Sequence, residues 1–201
     1  MACQSPPWAG WTKGRHAVAI KRFDRIGQAR VHALSANVAL KAAGQTLGYP
    51  ELAQLLRRRG AVDTQARTAD MHEVFRRAVF NVLMDNTDDH ERNHALLADD
   101  TGALRLSPAY DALPSGQALG YQQMRLGAQG HDSTIANALS QASQFGLAPN
   151  EAEAIIEEVA RVVDTWKAHF KACGVPDRDI DYLSQQLDRP LLQGQRKAYS
   201  P

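Results

Sequence analysis

Near the middle of the chain stands the sequence Asn81-Val-Leu-Met-Asp-Asn-Thr-Asp-Asp-His-Glu-Arg-Asn-His94, which is followed by Leu106-Ser-Pro-Ala-Tyr-Asp111. In these two sequences, Asp88, Asn93 and Asp111 carry oxygen atoms of the kind that bind Mg²⁺ or accept protons. Asp88 and Asn93 are separated by four residues, and Asp111 comes from the second sequence. Whether the three groups meet depends on the chain between them.

That intervening chain predicts a β-hairpin. Two short apolar runs, residues 95–97 and 103–106, are separated by Asp-Asp-Thr-Gly, a turn sequence that ends in a glycine. A hairpin returns the chain to its starting point, so we expect Asn93 and Asp111 to face one another. A metal ion held between them would lie beside Asp88.

The spacing of Asp88 and Asn93 indicates a chemistry. D-x-x-x-x-N is the spacing of the catalytic loop in phosphoryl-transfer kinases, where the Asp accepts the substrate hydroxyl proton and the Asn holds a metal ion. The same residue types are common in caps and turns after a helix, so the spacing alone leaves a structural interpretation open.

The residues around these positions resemble the catalytic and metal-binding segments of the HipA family, bacterial serine/threonine kinases that act as toxins. The segments that carry the resemblance are residues 80–83, 86–90, 92–94 and 106–111. The resemblance extends over residues 16–190 and implies a mainly α-helical fold. This fold would be the C-terminal lobe of a HipA-like kinase, with a short N-terminal hinge strand and a small β-hairpin at the site.

The resemblance also implies roles for individual residues. Asp88 would be the catalytic base, and Asn93 and Asp111 would hold Mg²⁺. The residues expected to contact ATP are Lys21, Arg22, Phe23, His90, Asn93, Tyr110 and Asp111. Without the resemblance, Phe23 would be interpreted as a core aromatic residue that follows a strand.

The implied function is transfer of phosphate from ATP to a protein hydroxyl, as the toxin component of a type II toxin-antitoxin system. Family precedent implies an aminoacyl-tRNA synthetase as substrate and a helix-turn-helix antitoxin as partner. Residues 1–15 contain neither the phosphate-covering loop nor the strand lysine that the family carries upstream of the hinge. We therefore expect a truncated C-terminal lobe, with a separate chain as one possible source of the other lobe.

Two further hypotheses remain open. The chain could be an inactive fragment or an antitoxin-binding module. It could also be a metal-dependent hydrolase, because several residues near the motif are ligands for hard metals. The candidate ligands for such a hydrolase are Asp88, Asp89, His90, His94 and Asp111.

Composition limits the remaining classes. The 201 residues are 44% apolar, which is enough for a core, and the net charge of +1 gives no indication of a nucleic-acid or membrane-surface protein. Cys3 and Cys173 are far apart, which makes a disulfide framework improbable and fits the cytoplasm. No window approaches the ~20 apolar residues that a membrane span requires.

Apolar periodicity predicts helices over most of the chain. The expected helices cover residues 31–43, 50–59, 68–85, 132–145, 149–173 and 176–189, and a short hinge strand covers residues 17–20. The longest helix would open at Pro149, and Asp132 would be the N-cap of the helix before it. We expect residues 1–15 to be an irregular leader and residues 191–201 a flexible tail.

Overall fold

The structure is a computed structural model that describes residues 20–200. These residues are mainly α-helical, as predicted. The helices are α1 (Ala36–Ala42), α2 (Tyr49–Arg59), α3 (Thr64–Leu83), α4 (Ile135–Leu139), α5 (Pro149–Asp164), α6 (Trp166–Ala172), α7 (Asp177–Leu187) and α8 (Pro190–Lys197). None of the described helices combines the length and the apolar character needed to span a lipid bilayer.

Two small antiparallel sheets accompany the helices. Their strands are β1 (Arg25–Ile26), β2 (Ala29–Arg30), β3 (His32–Ser35), β4 (Ala95–Ala98) and β5 (Leu104–Leu106). Strands β1 and β2 pair with each other, and the second sheet has the order β3-β4-β5. The predicted hairpin between Asn93 and Asp111 is therefore confirmed as β4 and β5. Gly102 lies in its turn with φ of 80°, a conformation that favours glycine.

The core is built around α3, which ends where the motif loop, residues 85–94, begins. Its apolar residues are buried and consist of Val74, Phe75, Ala78, Val79, Val82 and Leu83. The helix packs against α2 and α5, and the ring of Phe75 meets that of Phe145 edge to face with centroids 5.2 Å apart. Asp63 caps the start of α3 by accepting a hydrogen bond from Gln65 N. A well-packed helix thus delivers the loop that carries Asp88.

The helix predicted for residues 31–43 is wrong in its first part. Residues His32–Ser35 form β3, which pairs antiparallel with β4, and only Ala36–Ala42 is helical. Ser35 has an extended backbone, and its side chain accepts a hydrogen bond from Val38 N, so it caps α1. Pairing with a strand far along the sequence thus overrides the helical periodicity of this short segment.

Two other helix predictions are corrected. Thr134, not Asp132, caps α4, because its hydroxyl accepts a hydrogen bond from Asn137 N. This helix stops at Leu139 and a separate 3₁₀ turn covers Ala142–Phe145. The predicted helix from Pro149 is divided at Thr165 into α5 and α6, so the 20-residue α3 is the longest of the described helices.

The segment predicted to be a flexible tail forms α8 instead. Leu192 is buried, and Arg196 is only 3% exposed. The Arg196 guanidinium lies 2.7 Å from Asp164 Oδ1 and donates to Leu187 O at 2.8 Å. These bonds hold α8 against α5 and α7. The predicted leader and most of the predicted hinge strand lie outside the described residues, and Ile20 is not in a strand.

Candidate functional site

A buried hydrogen-bond network holds the loop that follows α3. Asp89 Oδ2 accepts a hydrogen bond from Tyr49 OH at 2.5 Å and lies 2.8 Å from His94 Nε2. Asn81 Nδ2 donates to Tyr49 OH at 3.1 Å, and Asn86 Nδ2 donates to Asn81 Oδ1 at 3.0 Å. All five residues are buried. The network therefore ties two points of the loop to α2 and α3.

This network changes the interpretation of Asp89 and His94. The hydrolase hypothesis makes both residues metal ligands, but each side chain is buried and bonded to the other. Within residues 20–200, no group of three or more His, Cys, Asp or Glu side chains is arranged to hold a metal ion. The geometry therefore gives the hydrolase hypothesis no support in this part of the chain.

The network also perturbs the pKa of Tyr49. Burial, together with the negative charge of Asp89, raises the pKa of the Tyr49 phenol well above its ordinary value. A phenol with a raised pKa stays neutral in the folded chain at a pH where it ionises in the unfolded chain. The contribution of Tyr49 to the free energy of unfolding is thus complete below the pKa of the phenol in the unfolded chain. It is lost as pH rises above about 10.

We therefore expect Tyr49→Phe to have two effects. At neutral pH it should lower the free energy of unfolding by about 1–3 kcal/mol, because Asp89 loses a buried hydrogen-bond donor. It should also reduce the loss of stability above pH ~10, since the substituted ring cannot ionise. Urea unfolding on both sides of this pH measures both effects, with the exposed Tyr182→Phe as the matched control. An equal alkaline loss in wild type and Tyr49→Phe would contradict the prediction.

Asp88, Asn93 and Asp111 converge on one cavity of about 180 Å³. Its other lining residues are Asn86, Leu113, Pro114, Ser115 and Gln117. The Asp88 and Asp111 side chains are exposed, whereas Asn93 is buried. The expected meeting of the three residues is thus observed. Their catalytic and metal-binding roles stay predictions.

The donor set of this cavity suits a hard cation. Asn93 and Asp111 provide amide and carboxylate oxygens, and Mg²⁺ is commonly held by one or two protein oxygens with water in its remaining positions. Asp111 has φ of 57°, a left-handed conformation that is uncommon outside glycine. Such conformations cost free energy and occur often at functional sites. The chemistry of the two residues therefore fits a magnesium site.

The loop that ends at Asp111 is held from two sides. Arg77 Nη2 on α3 donates to Ser107 O at 2.7 Å, and Ser107 N donates to Ala95 O at 2.9 Å. Tyr110 OH donates to Arg92 O at 2.7 Å, which links this loop directly to the loop that carries Asp88. The two predicted site segments are thus bonded to each other as well as to the core.

A second cavity, of about 400 Å³, collects most of the residues expected to contact ATP. Lys21, Arg22, Phe23 and Tyr110 line it, and its volume is in the range usual for small-molecule sites. The rings of Phe23 and Tyr110 have centroids 5.6 Å apart and an interplanar angle of 31°. Tyr110 lines this cavity and the next residue, Asp111, lines the first one.

Two of the expected ATP contacts, Arg22 and His90, already form hydrogen bonds with neighbouring residues. The Arg22 guanidinium donates two hydrogen bonds of 2.7 Å to the Asp24 carboxylate, so it is already paired. This pairing with Arg22 lowers the pKa of Asp24. His90 lines neither cavity, and its Nδ1 accepts from Arg92 N at 3.3 Å. The roles of Arg22 and His90 in binding ATP stay predictions.

The mainly helical fold with a small hairpin between two polar loops agrees with the helical kinase lobe that the resemblance implies. Residues 5–166 match the HipA-like C-terminal domain, and the chain belongs to this family. It is similar to "Putative kinase Y4dM" of Sinorhizobium fredii, with 36% identity over 104 residues, which are 48% of this chain and 23% of that protein.

Among solved structures, the chain is similar to the HipA chain of a complex of HipA, HipB and operator DNA from Shewanella oneidensis MR-1. The TM-score is 0.65 at 14% sequence identity, and the match covers 89% of this chain and 47% of that one. This likeness confirms the fold. The chain spans less than half the length of both proteins.

Proposed function

We propose that this chain is the lobe of a HipA-like serine/threonine protein kinase that carries the catalytic base and the magnesium ligands. The observation that carries the proposal is the convergence of Asp88, Asn93 and Asp111 on one cavity. A second cavity, lined by Phe23 and Tyr110 and of a size suited to a nucleotide base, has a lining residue next in the chain to Asp111.

In this proposal each residue has a role that its position permits. Asp88 is exposed, so its carboxylate can accept the proton of a protein hydroxyl. Asn93 and Asp111 bind Mg²⁺, which when bound neutralises charge on the phosphates of ATP. Phe23 and Tyr110 pack against adenine.

The remaining proposed ATP contacts surround these groups. Lys21 lies in the second cavity and can approach the nucleotide with its backbone or its ammonium group. Arg22 would have to exchange its bonds with Asp24 for bonds to the ligand. His90 would have to turn toward the phosphates from its position beside Arg92.

The biological setting belongs to the same proposal. An aminoacyl-tRNA synthetase is the proposed substrate, by family precedent, and the cytoplasm is the proposed location. A helix-turn-helix antitoxin is the proposed partner, and the name of the Shewanella oneidensis complex, which contains HipB, supports it. Direct contact with nucleic acid is not part of the proposal.

Thermal unfolding with added ligands tests the site. We expect Mg²⁺ with excess ATP to raise the melting temperature, because a ligand that binds only the folded state stabilises it. Asp111→Asn and Asn93→Ala should remove most of this shift, while Asp100→Asn, in the exposed hairpin turn, should retain it. A shift with Zn²⁺ alone would favour the hydrolase. Absence of any shift with Mg²⁺ and ATP would favour an inactive binding module.

A further inference from the structure

The C-terminal helices reach the motif loop through one ion pair. Arg189, the residue before α8, places Nη2 2.8 Å from Oδ1 of Asp85. Asp85 lies at the start of the loop, immediately after Met84, the C-cap of α3. Arg189 lies beyond residues 5–166, which match the HipA-like domain. A segment outside the family match thus contacts the loop that carries Asp88.

We propose that Arg189 is a positioning residue, which holds the motif loop in place by neutralising the Asp85 carboxylate. The role in positioning Asp88 for catalysis rests on the proposed function. The contact itself does not depend on any activity, so the two can be tested separately.

Asp85 connects the motif loop to the segment that follows Asp111. Its carbonyl oxygen accepts hydrogen bonds from Ser115 N at 3.0 Å and from Ser115 Oγ at 2.9 Å. The same Ser115 hydroxyl lies 2.6 Å from Thr87 Oγ1, and Ser115 lines the cavity of Asp88 and Asp111. A displacement of Asp85 would therefore move one wall of that cavity.

The backbone of Asp85 also requires outside support. Its φ is 53°, a left-handed conformation that is strained for residues other than glycine. Asn and Asp adopt this conformation more readily than other side chains. The strain persists only where neighbouring bonds determine the position, and the bonds from Ser115 and Arg189 do so here.

The Asp85 carboxylate depends on Arg189 because it is buried. It is 4% exposed, and Arg189 is the one side chain that pairs with it among residues 20–200. Burial raises the pKa of this carboxyl group, while the Arg189 charge acts in the opposite direction. Within these residues, removing Arg189 would leave the buried charge without an opposite charge, with only the backbone hydrogen bond of Ala118 to support it, and the loop would have to open to hydrate it.

Arg189 is itself held on a fixed part of the fold. Its Nε donates to Gln186 O at 2.9 Å, near the end of α7. On the other side, α8 is fixed by the buried Arg196, which bonds to Asp164 and to Leu187 O. The Arg189 guanidinium is thus presented to the loop from two packed helices.

The test compares Arg189→Met, Asp85→Asn and the double variant in the full chain, with Arg178→Met as the matched control. Arg178 is an exposed arginine on α7 whose one ion-pair partner within the described part of the chain is its neighbour Asp179. The first measurement is amide hydrogen exchange over residues 85–94, which needs no ligand. The second is the dissociation constant for ATP with Mg²⁺.

We expect Arg189→Met to speed exchange in this loop by at least ~10-fold and to weaken ATP binding by a similar factor, where 10-fold is about 1.4 kcal/mol. Adding Asp85→Asn should restore both values toward wild type, because no buried charge remains. Arg178→Met should change neither. Unchanged loop exchange in Arg189→Met, or a double variant as impaired as the single one, would overturn the proposal.

Two results separate this inference from the proposed function. Faster exchange in Arg189→Met with rescue by Asp85→Asn, in a chain that binds no ATP, would support the positioning role and contradict the kinase site. If the wild type binds ATP, and Arg189→Met has the same ATP affinity and the same loop exchange rate as the wild type, the positioning role alone is contradicted. Arg189→Met could fail to fold. In that case a double variant that folds and exchanges like wild type supports the positioning role of Arg189, and a double variant that also fails to fold contradicts it.

Discussion

Replacing Phe75 with alanine is expected to lower the free energy of unfolding by about 3–5 kcal/mol. Phe75 is completely buried on α3 and its ring packs edge to face against Phe145. The substitution removes buried apolar area and the aromatic pair with Phe145. It also leaves a cavity between α3 and the 3₁₀ turn Ala142–Phe145. The effect is large because α3 packs against both α2 and α5.

Urea unfolding measures this loss, with Val162→Ala on α5 as the control. Val162 is 61% exposed, so its substitution should change the unfolding free energy by no more than about 0.5 kcal/mol. If Phe75→Ala costs no more than Val162→Ala, α3 is not the centre of the core.

The second large effect concerns the proposed role of Asp88 as the catalytic base. A chimera that joins this chain to the N-terminal region of a longer relative is expected to transfer labelled phosphate from ATP to an aminoacyl-tRNA synthetase. Asp88→Asn should reduce the rate by about 10²–10⁴-fold, the usual contribution of a general base. Its stability should change by less than about 0.5 kcal/mol, since the side chain is exposed.

The chain without the added lobe should transfer phosphate negligibly. Among residues 20–200, Lys21 is the only lysine that lines either of the two cavities, and the Arg22 guanidinium is paired with Asp24. Few charges therefore face the phosphates, whereas phosphoryl transfer depends on positioning and charge neutralisation. The control is Asp100→Asn in the chimera, which should keep full activity.

Two outcomes would contradict this prediction. Transfer that persists in the Asp88→Asn chimera would show that Asp88 is not the base. Robust transfer by the unmodified chain, lost in Asp88→Asn, would show that the added lobe contributes less than we propose.

The sequence was sufficient for the parts of the fold that depend on local patterns. The spacing of Phe75, Val79 and Val82 is that of a helix with one buried face, and burial on that face follows. The hairpin that brings Asn93 to Asp111 also follows from adjacent residues, two apolar runs with a turn between them. Local periodicity and turn chemistry therefore predicted the convergence of the site residues.

The sequence was not sufficient where distant residues decide the structure. Strand β3 forms because it pairs with β4, and its own residues are also compatible with a helix. The bond of Tyr49 to Asp89 joins residues 40 positions apart, and no pattern in the sequence signals it. The contact between Arg189 and Asp85 is equally non-local. Such pairings depend on the packing of the whole chain, which periodicity does not encode.

A divalent cation held by Asn93 and Asp111 beside Asp88 is the feature on which the proposed function depends most. Anomalous X-ray scattering from crystals soaked with Mn²⁺ and a non-hydrolysable ATP analogue locates such a cation directly. We predict one peak within about 2.0–2.6 Å of an oxygen of each ligand residue, the range for hard cations. A peak beside Asp89 and His94 instead, or no peak in the cavity of Asp88, would contradict the assignment of the site.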